Sequence, residues 1–250
     1  MRKPYLALTL VVGTTLASCQ STYQVTDVTR TRILVDQSFD AAIPETAEAF
    51  LAPYKQKVDS IMSPVVGYAD HYMAASRPES DLSNLLADIL MWGAARWGEH
   101  PDMAVYNMGG IRAGLAKGKV TYGDVLDVAP FENKLCLLTL TGAKVLELFA
   151  QIASTGGEAV SHGVQLRITA DGQLAEASLH GKPIDPTAKY RIATLDYLAQ
   201  GKDKLVAFKA KTDVVSPQDE HNNVRYIIMD YFREHQNVGA AKEGRIIVNP

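Results

Sequence analysis

Apolar positions recur at helical spacing over three long stretches of the chain. Between Pro44 and Met62 they fall at Ala47, Phe50, Leu51, Tyr54, Val58 and Ile61, which predicts an amphipathic helix. From Leu82 to Trp97 the stripe is Leu82, Leu85, Leu86, Ile89, Leu90 and Ala94, with Ser80 or Asp81 as the capping residue. A third helix spans Asn222 to His235 through Val224, Ile227, Ile228, Tyr231 and Phe232. Between them the pattern shortens. Met103–Tyr106, Lys134–Leu140 and Tyr190–Ala193 read as strands, and Gly163–Ile168 and Leu174–Leu179 read as strands around an Asp171-Gly172 turn. Thr121–Val128 is a helical turn, and Thr141–Ser154 a helix that Thr141 is placed to cap. Helices and strands mix without regular βα alternation. That predicts an α/β (α+β) fold, a layered sandwich of mixed β-sheet and helices, and excludes a barrel or a dinucleotide-binding fold.

The amino terminus carries a different signal. Met1-Arg2-Lys3 precedes an apolar run from Leu6 to Leu16 that is too short for a stable membrane span. Its end, Leu16-Ala17-Ser18-Cys19, resembles a bacterial lipobox, whose cysteine is lipidated; a plain secretory cleavage site is the other reading. The expectation is a signal peptide over 1–18, a Ser/Thr/Gln-rich tether over 19–40 and one domain over 41–250. It places an exported protein, lipid-anchored at Cys19 to a bacterial membrane and facing the periplasm or cell surface. The other cysteine, Cys136, lies in the apolar run Leu135–Leu138 and reads as a buried free thiol.

Removal of residues 1–18 lowers the basic count from 25 to 23 against 28 acidic residues, moving the formal charge from -3 to -5. A mildly acidic domain lacks the basic face that nucleic acid requires. The six histidines (His71, His100, His162, His180, His221 and His235) are scattered through polar surroundings and read as surface residues. His221, beside Asp219 and Glu220, reads as a solvated helix start.

Asn107-Met108-Gly109-Gly110-Ile111-Arg112 is the stretch richest in chemistry. A buried strand stops at an amide, passes through two glycines that let backbone approach a ligand, and reaches a fixed positive charge. It suits a polar, anionic ligand; an ordinary strand-to-loop turn with a solvated Arg112 is the other reading. Around it lies an ordered series of blocks: Glu79–Asp88, Val120–Asp124, Pro130-Phe131-x-Asn133, Leu140-Thr141-Gly142, Tyr190–Thr194, Tyr197–Asp203 and Glu243–Ile246. Taken in order, these blocks resemble the C-terminal domain of the 5′-nucleotidase family, which includes periplasmic UDP-sugar hydrolases and surface ecto-5′-nucleotidases.

The resemblance implies roles residue by residue. Asn107, Gly109, Gly110 and Arg112 fall on the segment that contacts the phosphate or ribose region of the substrate. Phe131 and Tyr197 fall on the two halves of an aromatic clamp on the base, with Tyr197 standing where family members usually have Phe. Asn133 falls near the base, and Asp203 on the carboxylate that binds ribose hydroxyls. Two departures stand out. The usual Gly-Gly-Asp-Gly is here Gly201-Lys202-Asp203-Lys204, which stiffens the loop. Arg77 sits about one residue off the register of the family's phosphate-binding arginines, leaving a phosphate contact and a solvated side chain both open.

Catalysis in the family belongs to a two-metal metallophosphoesterase domain; no Gly-Asn-His-Glu motif occurs here, and the single Asp-x-His, Asp219-Glu220-His221, is the solvated helix start already named. The resemblance therefore implies a nucleoside- or nucleotide-recognition domain that binds no cofactor itself and is inactive alone. Its partners are a nucleoside, nucleotide or UDP-sugar ligand and a separate metallophosphoesterase polypeptide that carries the divalent metals. The alternative is a non-catalytic nucleoside- or nucleotide-binding lipoprotein, and a third reading is a structural domain that has lost its ligand.

Overall fold

The computed structural model describes residues 23–34, 36 and 45–249; the signal and lipobox expectations, Cys19 included, lie outside them. The chain divides into two units, residues 1–51 and 52–250. Residues 23–34 are exposed and without regular secondary structure. Among the described residues six helices follow: α1 (Glu45–Met62), α2 (Asp81–Ala94), α3 (Tyr122–Val128), α4 (Gly142–Ser154), α5 (Asp196–Ala199) and α6 (Val224–His235). The strands are β1 (Val65–Ala69), β2 (Met103–Tyr106), β3 (Gly118–Thr121), β4 (Leu135–Thr141), β5 (Ala159–Val160) and β6 (Val164–Thr169). After them come β7 (Leu174–Leu179), β8 (Lys182–Pro183), β9 (Lys189–Leu195), β10 (Thr212–Val215), β11 (Asn237–Val238) and β12 (Ile246–Asn249). Among the described residues no helix is long and apolar enough to cross a membrane.

The strands form three sheets, ordered β11-β1-β3, β10-β4-β9-β2-β5 and β12-β6-β7-β8. In the central sheet Leu135 to Leu140 are buried without a break, as in a strand covered on both faces. In the third sheet Val164, Leu166 and Ile168 point inward while Gln165 and Arg167 face water. Helix α2 packs on β2, β4, β5 and β9 and meets α6, whereas α4 packs against β4, β6, β7 and β9. An added Cβ on Gly93 of α2 would come within 2.6 Å of Ile227 on α6, so glycine here lets the two helices approach closely.

Helix ends follow the local chemistry, with one correction. Ser80 caps α2 in a reciprocal pair with Ser83, and Thr121 caps α3 in the same way with Asp124. Thr141, expected to cap α4, makes no such side-chain bond. The N–H groups of Gly142 and Ala143 are taken instead by the carbonyls of Ala188 and Pro186, and a side chain on Gly142 would run into the Asp185 carbonyl. Helix α2 ends at Ala94 and continues to Trp97 as a 3₁₀ turn. The apolar stripe on α1 is a further difference: Phe50, Leu51, Tyr54, Val58 and Ile61 are exposed and the helix buries no residue. Periodicity shows that an apolar face exists but not what covers it.

Five histidines are exposed, and His71 is half-buried beside Asp70 and Asp81. The carboxylates of Asp70 and Asp81 hold its imidazole above the usual histidine range, with the Asp70 hydrogen bond the largest cause. His221 sits in a 3₁₀ turn that Asp219 caps. Cys136 is free and buried, and burial pushes its thiol up to about 11.

Two of the sequence blocks fasten the domain to itself. The buried Glu79 carboxylate accepts from Asn84 Nδ2 and from the Glu243 backbone N–H, each at 2.7 Å. Arg245, 3 % exposed, grips both oxygens of Asp88 at 2.9 and 2.7 Å, reaches Glu243 at 2.9 Å, and donates to the Val160 carbonyl at 2.8 Å. Removing the cation would leave two carboxylates facing one another. Arg245→Met is expected to lower unfolding stability by about 1–3 kcal/mol, read by urea denaturation, because the Asn84 and Val160 carbonyls lose their buried donor.

Candidate functional site

The order and direction of the central strands decide what meets at one edge. Strands β2 and β9 are parallel, while β4 is antiparallel to β9 and β5 to β2. The carboxyl ends of β2 and β9 therefore lie beside the starting ends of β4 and β5, with Leu135 opposite Leu195 and Tyr106 opposite Ala159. Residues just outside those ends converge: Asn107 after β2, Tyr197 after β9, Phe131 and Asn133 before β4, and Glu158 before β5. Ligands bind by preference outside the carboxyl ends of strands for this topological reason.

A cavity of about 240 Å³ opens at that edge, lined by Asn107, Gly109, Phe131, Asn133, Tyr197 and Asp203. Phe131 is 48 % exposed and Tyr197 36 %, so each ring leaves surface that a ligand could cover. Asp203 is gripped from two sides. Asn107 Nδ2 donates to Oδ2 at 2.6 Å, and the Tyr197 hydroxyl donates to Oδ1 at 2.8 Å. The Asp203 hydrogen bond, followed by burial, holds the Tyr197 phenol above its ordinary range.

The glycine pair has a steric reason. Residues 108–110 form a 3₁₀ turn, with Gly110 N–H donating to the Asn107 carbonyl at 3.0 Å. An added Cβ on Gly110 would lie 2.5 Å from Asn107 Oδ1. That oxygen is the one buried side-chain polar atom without a hydrogen-bond partner among the described residues. Turning the amide over would set an oxygen against the Asp203 carboxylate, so the orientation follows from charge.

Arg112 does not line the cavity. It is exposed and its Nη1 donates to the Gly109 carbonyl at 3.3 Å. Arg77 is not free in solvent either: its Nε donates to the Thr155 carbonyl at 2.9 Å, and its guanidinium pairs with Glu158. Glu158, 3 % exposed, in turn accepts from the Met108 N–H at 2.5 Å. Burial raises the Glu158 carboxyl above its usual range, opposed by that N–H and by Arg77.

Three supporting residues escape sequence reasoning. Glu158 pins the base of the 108–110 turn. Asp196 Oδ1 accepts from the N–H groups of Tyr197 and Lys134 at 2.8 and 3.0 Å, tying one aromatic to the segment that carries the other. Arg225, 7 % exposed, donates to the carbonyls of Ala129 at 3.1 Å and Pro130 at 2.7 Å and so holds the residues leading into Phe131. A signal for Arg225 exists in the sequence: it lies three and seven residues before Ile228 and Phe232, on the apolar stripe of α6. Glu158 and Asp196 carry none, since their partners are brought together by strand pairing.

The family of 5′-nucleotidase C-terminal domains matches residues 65–210, more than half of the chain. This protein belongs to that family. Protein UshA of Yersinia enterocolitica is 30 % identical over 156 residues, covering 61 % of this chain and 28 % of that protein. The trifunctional nucleotide phosphoesterase protein YfkN of Bacillus subtilis is 29 % identical over 80 % of this chain, but only 15 % of its own length is matched. Among solved structures, a 5′-nucleotidase precursor from Thermus thermophilus superposes with a TM-score of 0.72 at 28 % identity, covering 82 % of this chain and 44 % of that one. The chain thus spans well under half the length of these relatives. As a 5′-nucleotidase C-terminal domain, it brings six of the eight expected substrate-binding residues to one cavity. Gly110 acts behind the cavity, by leaving room for Asn107, and Arg112 stands at the surface. Among the described residues no three His, Cys, Asp or Glu side chains converge as metal ligands.

The crowding at Gly110 makes a direct test. Gly110→Ala is expected to push Asn107 off Asp203 and to lower stability by about 1–3 kcal/mol, as overpacking does, measured by urea denaturation.

Proposed function

We propose that this domain recognises the nucleoside end of a nucleotide or UDP-sugar, and that a separate metallophosphoesterase polypeptide holds the divalent metals that would activate water for attack on its phosphate. One observation carries the reading: two part-exposed aromatic rings, Phe131 and Tyr197, share a cavity with a carboxylate held in place by two donors. Aromatic faces take a base with little regard to its identity. An ionised carboxylate accepts hydrogen bonds from sugar hydroxyls, and Asn133 offers both a donor and an acceptor to a base edge. A nucleotide phosphoesterase and a 5′-nucleotidase among the relatives support the substrate class, and their additional length leaves room for a metallophosphoesterase domain.

All six residues lining the cavity come from this chain, and the reading expects it to bind the nucleoside end by itself. Hydrolysis would occur where the phosphate leaves the cavity and meets the partner's metals. A lipid on Cys19 would hold the domain at a bacterial membrane beside such a partner. Loss of labelled fatty-acid incorporation in Cys19→Ser tests that anchor; incorporation that persists refutes it.

For the site, titration calorimetry with adenosine and AMP is the decisive measurement. Phe131→Ala is expected to weaken binding by about 1–3 kcal/mol, the worth of one stacked base. Equal affinity in the variant would remove Phe131 from the clamp.

A further inference from the structure

The Tyr197–Asp203 hydrogen bond joins the two chemistries of the cavity, ring and carboxylate, in one unit. An ionised carboxylate has about four acceptor positions, two on each oxygen. Asn107 occupies one on Oδ2 and Tyr197 one on Oδ1, which leaves one on each oxygen. The backbone beneath is unusual: Asp203 and Lys204 both have positive φ, +53° and +65°. A left-handed conformation at a residue with a side chain is unfavourable and persists where contacts enforce it. The two hydrogen bonds to Asp203 are such contacts. With phenylalanine at 197 the ring would still offer a face, but Asp203 would keep only the Asn107 bond and could turn about its broad χ2 torsion.

We propose that the Tyr197 hydroxyl is a positioning group: it fixes Asp203 so that the remaining acceptor position on each oxygen meets one of two adjacent hydroxyls, making the cavity selective for ligands with an intact ribose diol. The assignment rests on the nucleoside reading above and adds to it a determinant of sugar selectivity. Tyr197 then has two separable parts, a ring that stacks and a hydroxyl that acts through another residue.

Two measurements test it on the full chain. First, in tyrosine-labelled protein, the ring-carbon resonance lost in Tyr197→Phe is expected to titrate above the ordinary tyrosine range and to move back toward it in Asp203→Asn. An ordinary titration in the unaltered chain would overturn the proposal without reference to any ligand. Second, calorimetry compares adenosine with 2′,3′-dideoxyadenosine. The preference for adenosine is expected to fall about 3–10-fold in Tyr197→Phe, the effect of one lost hydrogen bond. An unchanged preference in a variant that still binds adenosine would overturn this assignment and leave the nucleoside reading standing. Failure of the unaltered chain to bind adenosine at millimolar concentration would overturn that reading and this assignment with it.

Discussion

Arg245 closes the domain on itself. A guanidinium buried to this depth is costly to strip of water unless its charge and its N–H groups are matched. Here two carboxylates and two backbone carbonyls match them: Asp88 in a two-pronged grip, Glu243, Asn84 and Val160. The consequence travels to the cavity through contiguous bonds. Val160 lies in β5, which pairs with β2. Glu158, just before β5, holds the Met108 N–H, and Asn107, the preceding residue, holds Asp203. A cation near the end of the chain thus sets the frame on which the cavity is hung.

The cavity shows the same economy. The two rings and the turn after Asn107 are each supported by a residue that does not line the opening. Arg225 grips the carbonyls before Phe131, Asp196 grips the N–H of Tyr197, and Glu158 grips the turn after Asn107. Rigid support of this kind places recognition groups before a ligand arrives, which lowers the ordering cost of binding. The support comes from charged side chains meeting backbone groups, the stronger class of hydrogen bond.

Much of the fold is legible in the chain. The helices at 82–94 and 224–235 and the strands at 135–141 and 164–169 follow from periodicity, because each buries one face or both. The capping pair at Ser80 and the tight turn at Gly172 follow from local chemistry. Strands β1, β3 and β12 were not legible, being short, with burial decided by neighbours distant in sequence. The Thr141 cap failed for a similar reason: the carbonyls of Pro186 and Ala188 satisfy the N–H groups at that helix start. Six of the eight substrate-binding residues expected from the ordered blocks do line one cavity. Arg112 does not, because the turn after Gly110 carries its side chain out to water.

Residue types and their order are already present in the chain: apolar stripes long enough to make a core, a Gly-Gly turn after a buried strand, and aromatic and acidic residues in blocks that match one family. Tertiary structure alone decided which of those residues meet. The parallel pairing of β2 with β9 and the antiparallel pairing of β4 with β9 bring residues 107, 131, 197 and 203 to one edge. The hydrogen bonds from Asn107 and Tyr197 to Asp203 exist only once that register is set. The physical reason is range: propensity and capping act over a few residues, whereas the partners that orient a buried or half-buried polar group are supplied by strand pairing across most of the chain.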